Sequence, residues 1–205
     1  MKNIFSVRKI LQALYYLQSN SVCEDKFNKM YLLKMMFFSD RYHLRHFGWV
    51  PSADNYVAME YGPVASATYD ILKKKYPSIA NSSGYYDFDL LSNVEEKNEN
   101  EVEIKPQQKD ELSLSYVKAL DFALEIYGKF QSMQLSFITH DYPEWKKHEE
   151  ELKKVKSVPM NFTDFFEDPA NLINSQKNGI VEDPFEDDRK FIEILKEDYI
   201  RHEHN

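Results

Sequence analysis

The chain has 205 residues, 42% hydrophobic and 15% aromatic, enough apolar mass for one full core and an appendage. A single cysteine, Cys23, excludes an internal disulfide framework or a Cys-rich zinc site and suits a reducing compartment. No apolar run approaches the ~20 residues needed to cross a bilayer, and Met1 to Phe5 lacks a signal-peptide pattern, so a cytoplasmic location is expected. The net charge of -8 is uneven: residues 1 to 75 carry 11 Lys+Arg against 6 Asp+Glu, and the remainder is strongly acidic. Such a balance sets most of the surface against nucleic-acid binding, and no nucleic-acid partner is expected.

In chain order, Val7, Ile10, Leu11, Leu14, Tyr15 and Leu17 follow amphipathic helix spacing, with Ser6 available as its N-cap. The next helix, about 26 to 47, is apolar on nearly all sides through Met30 to Phe38, which predicts a central helix roughly 33 Å long. Asn55 to Met59 alternates as a strand would, and Gly62-Pro63 then reads as the opening of a helix, with Val64, Thr68, Ile71 and Leu72 as its inner stripe. That helix is expected to end near Lys73-Lys74-Lys75. From residue 77 to 100 the chain is polar and turn-rich, Tyr85 to Leu91 reading as a short strand that pairs with Asn100 to Lys105.

A third strong helix spans about 112 to 128 and stops at Gly128. Ser132 is placed to cap a short helix reaching His140, and a last basic-acidic helix continues through Lys156. Beyond Pro159, Glu167-Asp168-Pro169 and Glu182-Asp183-Pro184 flank a polar loop before a helical stretch from Phe185 to Tyr199. Residues 160 to 205 carry 12 Asp+Glu against 5 Lys+Arg, an acidic extension.

The chemistry these residues support is limited. Asp40, His43 and His46 are spaced D-x-x-H-x-x-H, but each step of three turns the side chain by about 60° on a helix, so the three fan out rather than meet one ion. Hydrogen bonds to neighbouring elements suit Asp40, Arg41 and His43 better, and no metal site is expected. Cys23 has no local nucleophile signature, and no G-x-S-x-G elbow is present. Five scattered glycines form no phosphate cradle, so no cofactor is expected. His140-Asp141 ahead of Pro143 and Trp145 reads as a polar turn with a buried indole rather than an acid–base pair. Tyr56, Tyr61, Tyr69 and Trp145 are residue types that anchor protein interfaces.

Taken together, Leu33-Lys34 with Phe37-Phe38, then Asp40-Arg41-Tyr42-His43-Leu44, then Tyr61-Gly62-Pro63-Val64 with Tyr69, then His140 with Trp145, resemble the Panacea domain of SocA-like antitoxins over about residues 5 to 150. The resemblance implies a mainly α (α+β) fold: a compact bundle around the long central helix with a small β element. It assigns 1–158 to that domain; the acidic extension at 159–205, whose terminal helix is expected to dock on the domain, departs from the family pattern. The implied function is that of an antitoxin of bacteria or phages, not an enzyme, which neutralises a cognate protein toxin by direct binding. An adaptor that hands a protein to a protease or chaperone, and a hydrolase built on His140, are the alternatives. Carried over, the shared positions are Asp40, Arg41, His43, Tyr61, Gly62, Pro63, Tyr69, His140 and Trp145. No helix-turn-helix with a basic recognition helix is evident, which departs from family members that also bind DNA. In the extension, Phe162, Phe165, Phe166, Glu167 and Asp168, with Tyr56 from the domain, are the expected partner-binding residues.

Overall fold

A computed structural model of the chain describes residues 5–75, 88–169 and 189–203. Its first helix, α1, spans Val7–Asn20, and the Ser6 side chain caps it by accepting from Lys9 N. Ile10, Leu11, Leu14 and Leu17 are buried on one face, as their spacing predicts. A 3-10 turn, Glu24–Phe27, then leads to Asn28, which caps the central helix α2, Lys29–Phe47, through Met30 N. At about 28 Å, α2 crosses the molecule, and every residue from Tyr31 to Arg45 is buried. Gly48, at φ 78°, ends it in the left-handed conformation that favours glycine.

The small sheet follows. Strands β1 (Tyr56–Met59) and β2 (Gly62–Ala65) form a hairpin with Met59 opposite Gly62, and Ser157–Pro159 later adds to the other side of β1. Gly62-Pro63 therefore starts a strand instead of a helix, contrary to the sequence expectation. The hydrogen-bonding alternation explains why proline is tolerated: Ser66 N bonds to Asn55 O, which puts Pro63, opposite Ala58, at a position whose backbone faces away from β1. Its missing N–H costs no ladder bond. The helix itself, α3 (Ser66–Leu72), begins three residues later and is capped from a distance by Asp54, which accepts from Ala67 N at 2.8 Å and Thr68 N at 2.7 Å.

In the next stretch, residues 85–87 of the expected strand lie outside the described residues, and Phe88–Asn93 is a 3-10 turn, not a strand. The hairpin is one step further on, with β3 (Val94–Glu96) antiparallel to β4 (Val102–Ile104). Buried Gln18 of α1 secures it, donating to Val102 O and accepting from Ile104 N, so an amide side chain behaves as one more rung of the ladder.

Helix α4 (Leu114–Tyr127), capped by Ser113, packs along α2. For α5 (Ser132–Thr139) the cap is Gln131, in a reciprocal pair with Gln134, rather than Ser132. Ser132 is instead the first helical residue, and its N–H and hydroxyl both bond the Asp25 carboxylate. The expected continuous helix to Lys156 is two short pieces, α6 (Pro143–Lys146) and α7 (Glu149–Leu152), followed by β5 (Ser157–Pro159). A 3-10 turn at Phe162–Phe166 inserts Phe165 into the core, where it meets Phe37 and Tyr56 edge to face. Phe37 also contacts Phe38 and Tyr142, so one ring joins α2 to the sheet, α6 and the extension; such pairs contribute about 0.5–1.5 kcal/mol each beyond burial. The last helix, α8 (Arg189–Glu203), lies against α2 and this turn, burying Ile192 and setting Tyr199 against Phe162 and Phe166. The mainly α bundle with a small β element is thus the observed architecture.

The tightest spot in the fold is Gly62, at φ 100°, where an added Cβ would overlap Thr139 Oγ1 and come within 2.8 Å of Lys34 Nζ. Gly62→Ala should cost about 2–4 kcal/mol from backbone strain and overpacking. Urea unfolding followed by circular dichroism measures it, and a loss below 1 kcal/mol would contradict this packing.

Candidate functional site

The residues singled out by the sequence gather around α2 and the ends of the elements that touch it. Asp40 is fully buried and accepts hydrogen bonds from the Ser52 hydroxyl and backbone N–H and, at 2.8 Å, from the Tyr56 hydroxyl. Burial pushes its carboxyl up to about 7, only partly opposed by those donors. One turn along α2, His43 sits between Trp49 O at 2.8 Å from Nδ1 and Ser115 Oγ at 3.0 Å from Nε2. A carbonyl can only accept, so Nδ1 carries the proton and Nε2 accepts from Ser115. Burial lowers this imidazole to about 4, which keeps it neutral. His46 bonds Tyr42 O within its own helix. Asp40, His43 and His46 are thus directed to three different partners, and among the described residues no group of three His, Cys, Asp or Glu converges as a metal site would require.

Arg41 and Arg45 point the other way, toward the extension. Arg41 Nε pairs with buried Glu144 Oε1 at 2.7 Å, its terminal nitrogen donates to Glu167 O at 2.7 Å, and its guanidinium lies 4.6 Å from the Tyr142 ring centre. Arg45, which the sequence reading missed, is the largest fully buried side chain among the described residues. It donates to the carbonyls of Phe165, Phe166 and Glu167 and pairs with Asp168 Oδ1 at 2.6 Å. An arginine in the polar last turns of a helix looks like a surface residue in sequence; the signal that could have found it is its i+4 relation to Arg41, which aims both at one place.

A second group lies at the hairpin tip. Lys34 is buried, and its Nζ donates to Pro63 O at 2.9 Å, the carbonyl that faces away from β1. Burial brings its ammonium down to about 7. Lys29, Arg41 and Arg45, the other buried cations among the described residues, each pair with a carboxylate, whereas among the described residues no carboxylate lies within ion-pair distance of Lys34. Ser136 Oγ donates to Tyr61 O, and Trp145 Nε1 donates to Met59 O at 2.8 Å, fixing α5 and α6 on the two sides of the turn. His140 stacks on Trp145 at 3.8 Å, with burial and the nearby Lys34 charge holding it below its usual range. The acid–base reading gains no support from this arrangement, since the imidazole serves as a stacking plate. Tyr69 is half-buried beside Lys73, whose ammonium lies 4.3 Å from its ring centre.

The expected partner-binding residues are mostly used inside the molecule. Tyr56, Phe165 and Phe166 are buried in the core and cannot serve as exposed anchors, a correction whose cause is the 3-10 turn that brings both Phe side chains inward. Phe162 is half-buried against Tyr199; Glu167 pairs with Lys196, and Asp168 with Arg45. The exposed large apolar groups lie elsewhere and include Tyr61, Met133 and Phe137.

The sequence model of a family described as Antitoxin SocA-like, Panacea domain, matches residues 32–146, more than half the chain. Every position named for the resemblance falls inside that span. No curated protein and no solved structure matches the chain.

Two outcomes follow from the buried charges. Because Asp40 has a raised folded pKa, its contribution is complete below the unfolded value near 3.8 and is lost as pH rises through about 7. Relative to Asp40→Asn, the wild-type chain should therefore lose roughly 2–4 kcal/mol between pH 4 and pH 8 in denaturant titrations. Removing Glu144 leaves Arg41 charged and buried, so Glu144→Ala should cost about 3–5 kcal/mol at neutral pH; thermal unfolding of the variant checks it.

Proposed function

The chain belongs to the SocA-like antitoxin family with a Panacea domain, and from that premise we propose that it is the antitoxin of a two-gene toxin–antitoxin pair, neutralising its protein toxin by direct binding. The observation that carries this reading is the match over residues 32–146. The fold supports it physically, because the shared polar residues are consumed in holding the domain together. Asp40, Arg41, His43 and Trp145 each bond to another part of the chain, which suits a scaffold that presents a surface better than it suits a reaction centre. Under this reading the protein acts stoichiometrically, without a catalytic step, a cofactor or a nucleic-acid partner, and in the cytoplasm. Among the described residues no helix is long and apolar enough to cross a membrane, which is compatible with that location.

The sequence reading assigned partner contact to the aromatic and acidic residues after Pro159. With Phe165 and Phe166 in the core and Asp168 paired to Arg45, residues 162 to 168 are better described as part of the domain's own support. Partner contact then falls to exposed apolar side chains of the matched span.

Co-expression with the product of the adjacent gene in a bacterial host is the direct test. The neighbour alone should arrest growth, the pair should grow, and the two proteins should co-purify at a fixed ratio with the toxin level unchanged. A neighbour that is harmless, or whose arrest this chain does not relieve, would refute the proposal. Relief with loss of the toxin protein would favour an adaptor to a protease instead.

A further inference from the structure

Helix α8 is seated on the domain as a ligand is seated in a groove. Its inward face carries Ile192, Leu195 and Tyr199 at i, i+3 and i+7, the positions by which an amphipathic helix lies in an apolar groove. Ile192 is buried, and Tyr199 meets Phe162 and Phe166 of the 3-10 turn. Leu195 lies close over Gly48 at the end of α2, where an added Cβ would stand 3.3 Å from it. Phe47 and Trp49, which flank Gly48, are 38% and 37% exposed and leave apolar surface open beside the seat. Two observations set α8 apart from the helices of the core. The first is how lightly it is held. Among its described side chains Ile192 alone is buried, Phe191 and Ile194 are exposed, and the Lys196 to Glu167 ion pair faces solvent and contributes little. A segment with so few buried contacts opens without unfolding the remainder. The second is that the groove does not need α8 in order to stand: Arg45 fastens the carbonyls of Phe165, Phe166 and Glu167 from α2, and Phe165 packs on Phe37 and Tyr56.

We propose that α8 is an internal ligand covering a docking groove, and that an amphipathic helix of the toxin displaces it, with apolar side chains at i, i+3 and i+7 and a basic one at i+4. This rests on the antitoxin reading above, and it adds a covered surface to the exposed apolar side chains of the matched span, of which Phe47 and Trp49 lie beside the groove. The apolar spacing is the one the groove already accepts. The basic position follows from the charges around the seat. Asp164 pairs with Lys147 and Asp168 with Arg45, whereas the salt bridge of Glu167 comes from Lys196 of α8 itself. Departure of α8 leaves the Glu167 carboxylate open to a cation of the incoming helix. Because that helix must first exclude α8, its apparent affinity is reduced by the fraction of molecules in which the groove is open.

The test is calorimetric titration of the full chain with the purified product of the adjacent gene. Ile192→Asp frees the groove and should tighten binding at least about tenfold. Adding Phe162→Asp, in the wall of the groove, to that variant should weaken binding at least about tenfold relative to Ile192→Asp alone. A helix that only supported the domain would give losses for both changes. Amide hydrogen exchange on the wild-type chain needs no variant to fold: α8 amides should exchange faster in the complex than in the free chain, while those of α2 stay protected. An Ile192→Asp chain that binds as wild type or more weakly, or an α8 equally or better protected in the complex, refutes the displacement and leaves the antitoxin reading standing. A double variant that keeps the gain refutes the groove as the docking surface. A wild-type chain that never binds the neighbour overturns both readings.

Discussion

The structure depends on one costly arrangement, a central helix buried on all sides that nevertheless carries Lys34, Asp40, Arg41, His43 and Arg45. Charged groups removed from water must find partners in the protein or become neutral. Helix α2 does both. Its arginines are paired, Asp40 is surrounded by hydroxyl donors while burial favours its protonated form, and His43 stays neutral between two fixed partners. Those partners come from positions far apart in the chain: Ser52 and Tyr56 around the first strand, Ser115 at the start of α4, Glu144 in α6, and the 165–168 segment. Satisfying one helix therefore fixes the placement of most of the others.

This logic separates what could be read from the sequence from what could not. A helix start set by a local side chain was legible at Ser6, where the cap and the apolar period lie within a few residues of each other, whereas at Ser132 the neighbouring Gln131 takes the cap through its reciprocal pair with Gln134. The run through Met30 to Phe38, apolar but for Lys34, announced a central helix because it leaves no wet face. Gly62-Pro63 misled, because proline is as acceptable at an outward-facing strand position as at a helix start, and only the pairing register decides between them. The cap of α3 was equally hidden: Asp54 acts across the whole hairpin, a relation that no local window contains. Phe165 and Phe166 looked like exposed anchors because acids flank them, and their burial follows from the arginines on α2 more than a hundred residues earlier.

The residues that name the family are legible as a pattern yet silent as chemistry. Asp40, Arg41 and His43 are neighbours in sequence but serve three different contacts, and Gly62 is required by the close approach of Lys34 and Thr139. His140 and Trp145 form a stacked pair whose indole N–H holds the end of β1. A shared scaffold of this kind leaves the outward faces of α5 and the hairpin tip unconstrained by folding.

The hold of Arg45 on the chain after β5 has a consequence of its own. Three of its acceptors are main-chain carbonyls, at Phe165, Phe166 and Glu167, and Arg41 takes the last of these as well. Carbonyls are common to all residues, so this part of the grip reads the path of the backbone, whereas the Asp168 carboxylate and the buried Phe165 ring add contacts that belong to the side chains. The attachment point is thus held in two ways, one that survives an exchange of the Glu167 side chain and one that an exchange of Phe165 or Asp168 would break.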